Sequence, residues 1–281
     1  MNWYKLAEAA LNITPKEFQT KHYQELIDIA RNTSITQETQ LLFFAQEYDY
    51  KDNNYKDNSS ILWHLAHNTS ISPQTQLLFF TVKYEGNLNA LYQLAQNRSI
   101  SPQTQLLFFT TEYDYKNHVL NQLAYNTSIT PEVQRLFFTQ EYKYAWYWLA
   151  MNPSLIPEIQ QLFFPKEYKY DTHIKSILKN LAGNPGISLQ MQKMFFTQEY
   201  EDKHRVLWHL AKNRSISLQT QKMFFTQEYE EKNYVLKHLF DNPSFLKGVT
   251  LQEMREFTKA KEARLYVYRK RLKQIRKKIK L

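Results

Sequence analysis

A chain of 281 residues, 43% hydrophobic and 22% charged, has a globular balance and the length of one large or two ordinary domains. Its lack of cysteine excludes disulfides, zinc–thiolate sites, iron–sulfur clusters and a thiol nucleophile, and 4 glycines beside 20 tyrosines and 18 phenylalanines argue against Gly-rich phosphate loops. The formal charge of +9 is unevenly held: residues 247–281 carry thirteen Lys/Arg and three Asp/Glu, and the other 246 residues carry 23 against 24, so the body is neutral and the tail basic.

The N-terminal stretch MNWYKLAEAALNITPKEF has neither the basic start nor the apolar run of a secretion signal, and no 18-residue apolar stretch occurs anywhere. The expectation is a soluble, cytoplasmic protein without a transmembrane segment. Repetition then dominates. SISPQTQLLFF runs from Ser70 to Phe80 and again, letter for letter, from Ser99 to Phe109. Aligned on the tetrapeptide LAxN, the chain places Asn at 32, 68, 97, 126, 152, 184, 213 and 242, a period of 29 in its commonest spacing. Gln follows eight residues after each of the first seven, and a Phe pair three and four residues after the Gln. The segment from Asn to Phe never changes length, so all insertions fall on one edge of the repeat, as in stacked units.

Each unit reads as two helices. The first opens at Thr36, Ser72, Ser101, Thr130, Ser188 or Ser217, where a side-chain oxygen accepts from the free N–H groups of the first turn. Pro73, Pro102, Pro131 and Pro157 stand where a missing N–H costs nothing. The second helix carries the pattern VLxxLA, as in Val119, Leu120, Leu123 and Ala124, and stops at the Asn, a residue that tolerates the left-handed conformation of helix ends. A unit this short cannot bury its apolar face alone, and stacking buries it. The predicted fold is all-α: an α-solenoid of about eight two-helix repeats over residues 1–246, followed by a basic amphipathic C-terminal helix over 247–281.

The run LAMNPSLIPEIQQLF at Leu149–Phe163, with HRVLWHLAKN at His204–Asn213, resembles the variant leucine-rich repeats, HEAT-like units that stack short helix pairs into a right-handed superhelix. The resemblance spans residues 20–245. Two features depart from it: the repeats here are longer and carry the Phe pair and the EY turn, and the N-terminal cysteine cluster that binds an iron–sulfur centre in one branch is missing, so that cofactor is not implied.

The invariant Asn and Gln cannot form a base-reading code, which must vary between units; the expectation is that Asn caps the second helix and Gln satisfies loop backbone. The variable positions lie five, four and one before each Asn. Among them Trp63, His64, Tyr92, Tyr147, Trp148, Trp208, His209 and His238 form a predicted outward line of aromatic and amphipathic residues, the composition of protein interfaces and of base-stacking surfaces. The alternative is that these rings pack between neighbouring second helices. His64 and His67 form an HxxH without a third ligand, so neither metal nor cofactor is expected. The Glu-Tyr pairs, such as Glu112-Tyr113 and Glu199-Tyr200, recur too often to be catalytic, and no nucleophile–base pair stands out, so the expectation is a non-enzymatic protein.

In the tail, Leu265, Tyr268, Leu272, Ile275 and Ile279 form an apolar seam, with Arg269, Lys270, Arg271, Lys273, Arg276, Lys277 and Lys278 on the other faces. Such a helix caps the last repeat or docks on nucleic acid, an acidic protein or an anionic membrane, and it is also a candidate for self-association. A protein partner along the second helices is the first expectation, and nucleic acid held through the tail the second.

Overall fold

The computed structural model describes Glu17 and residues 21–45, 59–81, 87–140, 142–164 and 172–245. The basic tail and its seven named Lys and Arg residues lie outside the described residues. All secondary structure among the described residues is helical. The chain divides into two compact units, Met1–Ser154 and Leu155–Leu281.

In the first unit the helices are α1 (Tyr23–Arg31), α2 (Gln37–Ala45), α3 (Ser59–His67), α4 (Pro73–Leu78), α5 (Asn87–Gln96), α6 (Pro102–Thr110), α7 (Lys116–Tyr125), α8 (Pro131–Thr139) and α9 (Lys143–Met151). In the second they are α10 (Pro157–Gln161), α11 (Thr172–Gly183), α12 (Leu189–Thr197), α13 (Lys203–Lys212), α14 (Leu218–Thr226) and α15 (Lys232–Asp241). Within each unit, helices of one kind pack on the next of the same kind, which is α-solenoid architecture. The odd-numbered second helices approach one another more closely than the even-numbered first helices do.

The capping predicted from sequence is present. The hydroxyls of Ser72, Ser101, Thr130, Ser188 and Ser217 accept from the N–H groups three residues on, at 3.0–3.3 Å. Ile156, which has no side-chain oxygen to offer, precedes the five-residue α10.

The repeats are joined by two amides that reach in opposite directions. Asn126 Nδ2 donates to the carbonyls of Ala95 and Asn97 in the preceding repeat, at 2.8 and 2.9 Å, while its Oδ1 accepts from the Ser128 N–H. Asn68, Asn97, Asn152, Asn213 and Asn242 repeat the arrangement. Each therefore closes the C-terminus of the previous second helix, where carbonyls lack helical partners. The left-handed conformation foreseen for these Asn does not occur: Asn126 has φ −68 and ψ 120, extended backbone that aims its amide across the interface. Gln reaches forward instead. Gln105 Nε2 donates to Ile100 O and to Ser128 O of the next repeat, and its Oε1 accepts from Thr130 N–H.

Between these clamps runs a chain of rings. The first Phe of every pair is buried, and Phe44, Phe80, Phe109, Phe164 and Phe196 pack edge-on against the first Phe of the next repeat, as with Phe80 on Phe108 and Phe109 on Phe137, both at 4.9 Å. The EY turn closes the first helix. Tyr113, Tyr200 and Tyr229 donate to the carbonyls of Phe108, Phe195 and Phe224, and Lys116, Lys203 and Lys232 to those of Phe109, Phe196 and Phe225. Burial pushes all three tyrosine hydroxyls far up, which keeps them neutral donors. Among the described non-glycine residues the left-handed ones are instead Tyr115, Asp202 and Glu231, each just before a second helix, at φ 54, 56 and 53.

Candidate interaction surface

With Asn, Gln and Phe engaged between repeats, the variable residues of the second helices remain for other work. Positions eight, five, four and one before each Asn share one helical face, being spaced by three, one and three residues. Their depths differ. The residues one before Asn, such as His67, Gln96, Tyr125 and Lys212, are exposed. Those four before Asn turn toward the preceding second helix, which corrects the expectation that they point outward: His64 is only 9% exposed.

These side chains form rungs between neighbouring second helices. Arg31 Nε of α1 lies 3.1 Å from His64 Nδ1 of α3, His67 Nδ1 lies 2.7 Å from Gln93 Nε2 of α5, and Gln96 Nε2 donates to Gln122 Oε1 of α7 at 2.8 Å. One repeat on, Tyr125 meets Trp148 of α9 edge-on at 6.2 Å. His209 of α13 and His238 of α15 are half-buried at the equivalent place, and His238 packs on Trp208 at 5.3 Å.

The residues five before Asn face outward to different degrees. Tyr92 and Tyr147 are 37% and 39% exposed, whereas Trp63 and Trp208 are half-buried. Trp63 stacks parallel to His67 at 5.9 Å, and Lys212 Nζ sits 4.3 Å over the Trp208 ring. Tyr147 in turn contacts Trp148 edge-on at 5.3 Å. The sequence reading missed the next residue of the face, eight before Asn. His118, Tyr144, Arg205 and Tyr234 occupy it, and all are exposed. Helical periodicity alone marks this position, one turn before the residues that were singled out.

The buried histidines have electrostatic consequences. Burial first, then Arg31 and His67, hold His64 below its ordinary pKa, with Asp28 opposing. Burial, then Lys179 and Lys212, lower His209. Burial and Lys212 lower His238, against Asp241 and with Lys237. In the folded state these groups take up protons less readily than in the unfolded chain, whose histidines titrate near 6.5. Their neutral-form stability is therefore complete above about pH 6.5 and is lost as the pH falls below that toward the folded values. Melting measured from pH 8 to 5 is expected to show a flat upper region and a decline below about 6.5, and His64→Gln is expected to shallow the decline. A melting temperature that rises on acidification would contradict the rung geometry.

Among the described residues no cluster of three His, Cys, Asp or Glu is arranged to hold a metal ion, and no helix is long and apolar enough to cross a membrane. No protein-family model, curated protein or solved structure matches the chain. The likeness to variant leucine-rich repeats thus rests on the repeat motif alone.

Proposed function

We propose that the protein is a non-enzymatic interaction module that holds a partner protein along the second-helix face. The observation that carries this reading is the division of labour within each repeat. Invariant Asn, Gln and Phe hold the stack together, while residues that change from repeat to repeat, many of them Tyr, Trp and His, occupy one face of the second helices within each unit. Aromatic rings exposed on a rigid helical layer supply large contact area at little entropic cost, as protein interfaces require. The near-neutral charge of residues 1–246 favours protein over nucleic acid on this face.

A second reading, nucleic-acid binding, is favoured by one observation: almost all the excess positive charge lies in residues 247–281. Capture of partners from native cell lysate, with and without nuclease, separates the two. A protein partner retained after nuclease treatment supports the first reading. Loss of all bound material on nuclease treatment, together with steep weakening by salt, would replace it with the second.

A further inference from the structure

Two second helices carry a Trp-His pair, Trp63-His64 on α3 and Trp208-His209 on α13, one in each unit. Both pairs make the same edge-on ring contact at 4.6 Å, and both histidines have cations beside them: Arg31 for His64, Lys179 and Lys212 for His209. Burial beside like charge suits the neutral imidazole.

At His64 the geometry goes further. Arg31 Nε lies 3.1 Å from its Nδ1, and Arg31 Nη2 lies 3.2 Å from its Nε2. A guanidinium only donates, so the imidazole must accept, and a protonated imidazole has no lone pair to accept with. This contact between α1 and α3 therefore belongs to neutral His64 alone. The next rung has no such restriction, because Gln93 can turn either end of its amide to His67.

The charges around His64 supply a second position for it. Asp28 lies one turn before Arg31 on α1 and acts on His64 in the opposite sense. Asp28 is exposed and accepts from Gln24 Nε2 at 3.3 Å through one oxygen, and a carboxylate has a second oxygen for an imidazolium N–H. His67, on α3 itself, opposes protonation together with Arg31. On the other flank α5 contains no Lys, Arg, His, Asp or Glu, and Tyr92 is its one titratable group. Arg31 is exposed and has solvent to move into.

We propose that Arg31, His64 and Asp28 form an acid-operated latch between α1 and α3, in which neutral His64 holds Arg31 and protonated His64 releases it and pairs with Asp28. Burial first, then Arg31 and His67, hold His64 below its ordinary pKa, so the latch is closed at neutral pH and opens as the pH falls below the ordinary histidine range near 6.5. Opening adds a positive charge beside Trp63 and frees the Arg31 donors for another acceptor on the second-helix face. The latch operates in the free chain whatever the face holds, so its test needs no partner, and its failure leaves the interaction reading untouched.

The test is nuclear magnetic resonance on the full chain with isotope-labelled histidine, arginine and aspartate, titrated from pH 8 to 5. Contacts of the His64 ring with the Arg31 side chain are expected at pH 7.5. They should give way to contacts with Asp28 in the same step in which the His64 ring nitrogens titrate. Arg31→Gln should move that step to higher pH, and Asp28→Asn to lower pH; a melting curve for each variant guards against misfolding, and the parent titration needs no variant. Arg31 contacts that persist once His64 is protonated, or a His64 that titrates at or above an ordinary histidine, would overturn the latch. A step that neither variant moves would overturn it too. Loss of the circular dichroism helix signal in the same step would mean unfolding in place of exchange, and would count against the latch equally.

Discussion

Phe108→Ala is expected to destabilise the protein by about 3–5 kcal/mol, as for other buried aromatic truncations. Phe108 is fully buried, and its ring receives the edge of Phe80 from the preceding repeat at 4.9 Å. Tyr113 also lies edge-on to it, with centroids 6.5 Å apart. Truncation removes the surface on which both rings rest, and neighbours fixed by backbone hydrogen bonds can close the space only in part. Urea denaturation followed by far-ultraviolet circular dichroism measures the loss. Because the contact joins two repeats, the transition should also broaden as cooperativity between units weakens. Phe80→Ala, at a half-buried position, should cost less. Equal and small effects at both positions would contradict the ring chain.

Asn126→Ala is expected to cost about 2 kcal/mol or more, since it leaves the Ala95 carbonyl and the Ser128 N–H without this partner, each worth about 1–3 kcal/mol when left unmet in the interior. It also takes one of two donors from Asn97 O, which keeps the Ile100 N–H at 3.4 Å. Asn126→Asp separates the two halves of the clamp. A carboxylate can still accept from Ser128 but cannot donate to the two carbonyls, so its penalty should approach or exceed that of Ala at neutral pH. An Asp variant as stable as the parent would show that the donated bonds contribute nothing to the stack.

The stacking itself was legible because it repeats. LAxN, the Gln eight residues on and the Phe pair recur at fixed spacing, and spacing fixed against variable insertions marks residues that meet across neighbours. The caps were legible for the same reason, including the exception at Ile156. What periodicity did not disclose was the partner of each group. The Asn does cap its own helix through its backbone N–H, as expected, but its side-chain amide also closes the helix before it, and a contact across repeats leaves no trace in local sequence.

The interaction face was legible in direction but not in depth. A helical period assigns His64, Gln93 and His209 to the side away from the VLxxLA stripe, yet neighbouring second helices lie close enough to cover that flank. Arg31 and His67 are the residues that cover His64 and Gln93, and only the packing reveals it. The left-handed positions were hidden as well, because Tyr115, Asp202 and Glu231 are not residues that announce such backbone.

The central claim, that the stack is held by one set of residues and a partner by another, is tested most directly on the two exposed tyrosines five before Asn, Tyr92 and Tyr147. Tyr92→Ala/Tyr147→Ala should leave the melting temperature almost unchanged, as surface substitutions usually alter stability by no more than about 0.5 kcal/mol. The same variant should recover the lysate partner at least tenfold less than the parent, in line with the loss of two interface aromatics. Undiminished recovery of the partner, or a melting temperature lowered by many degrees, would contradict the account.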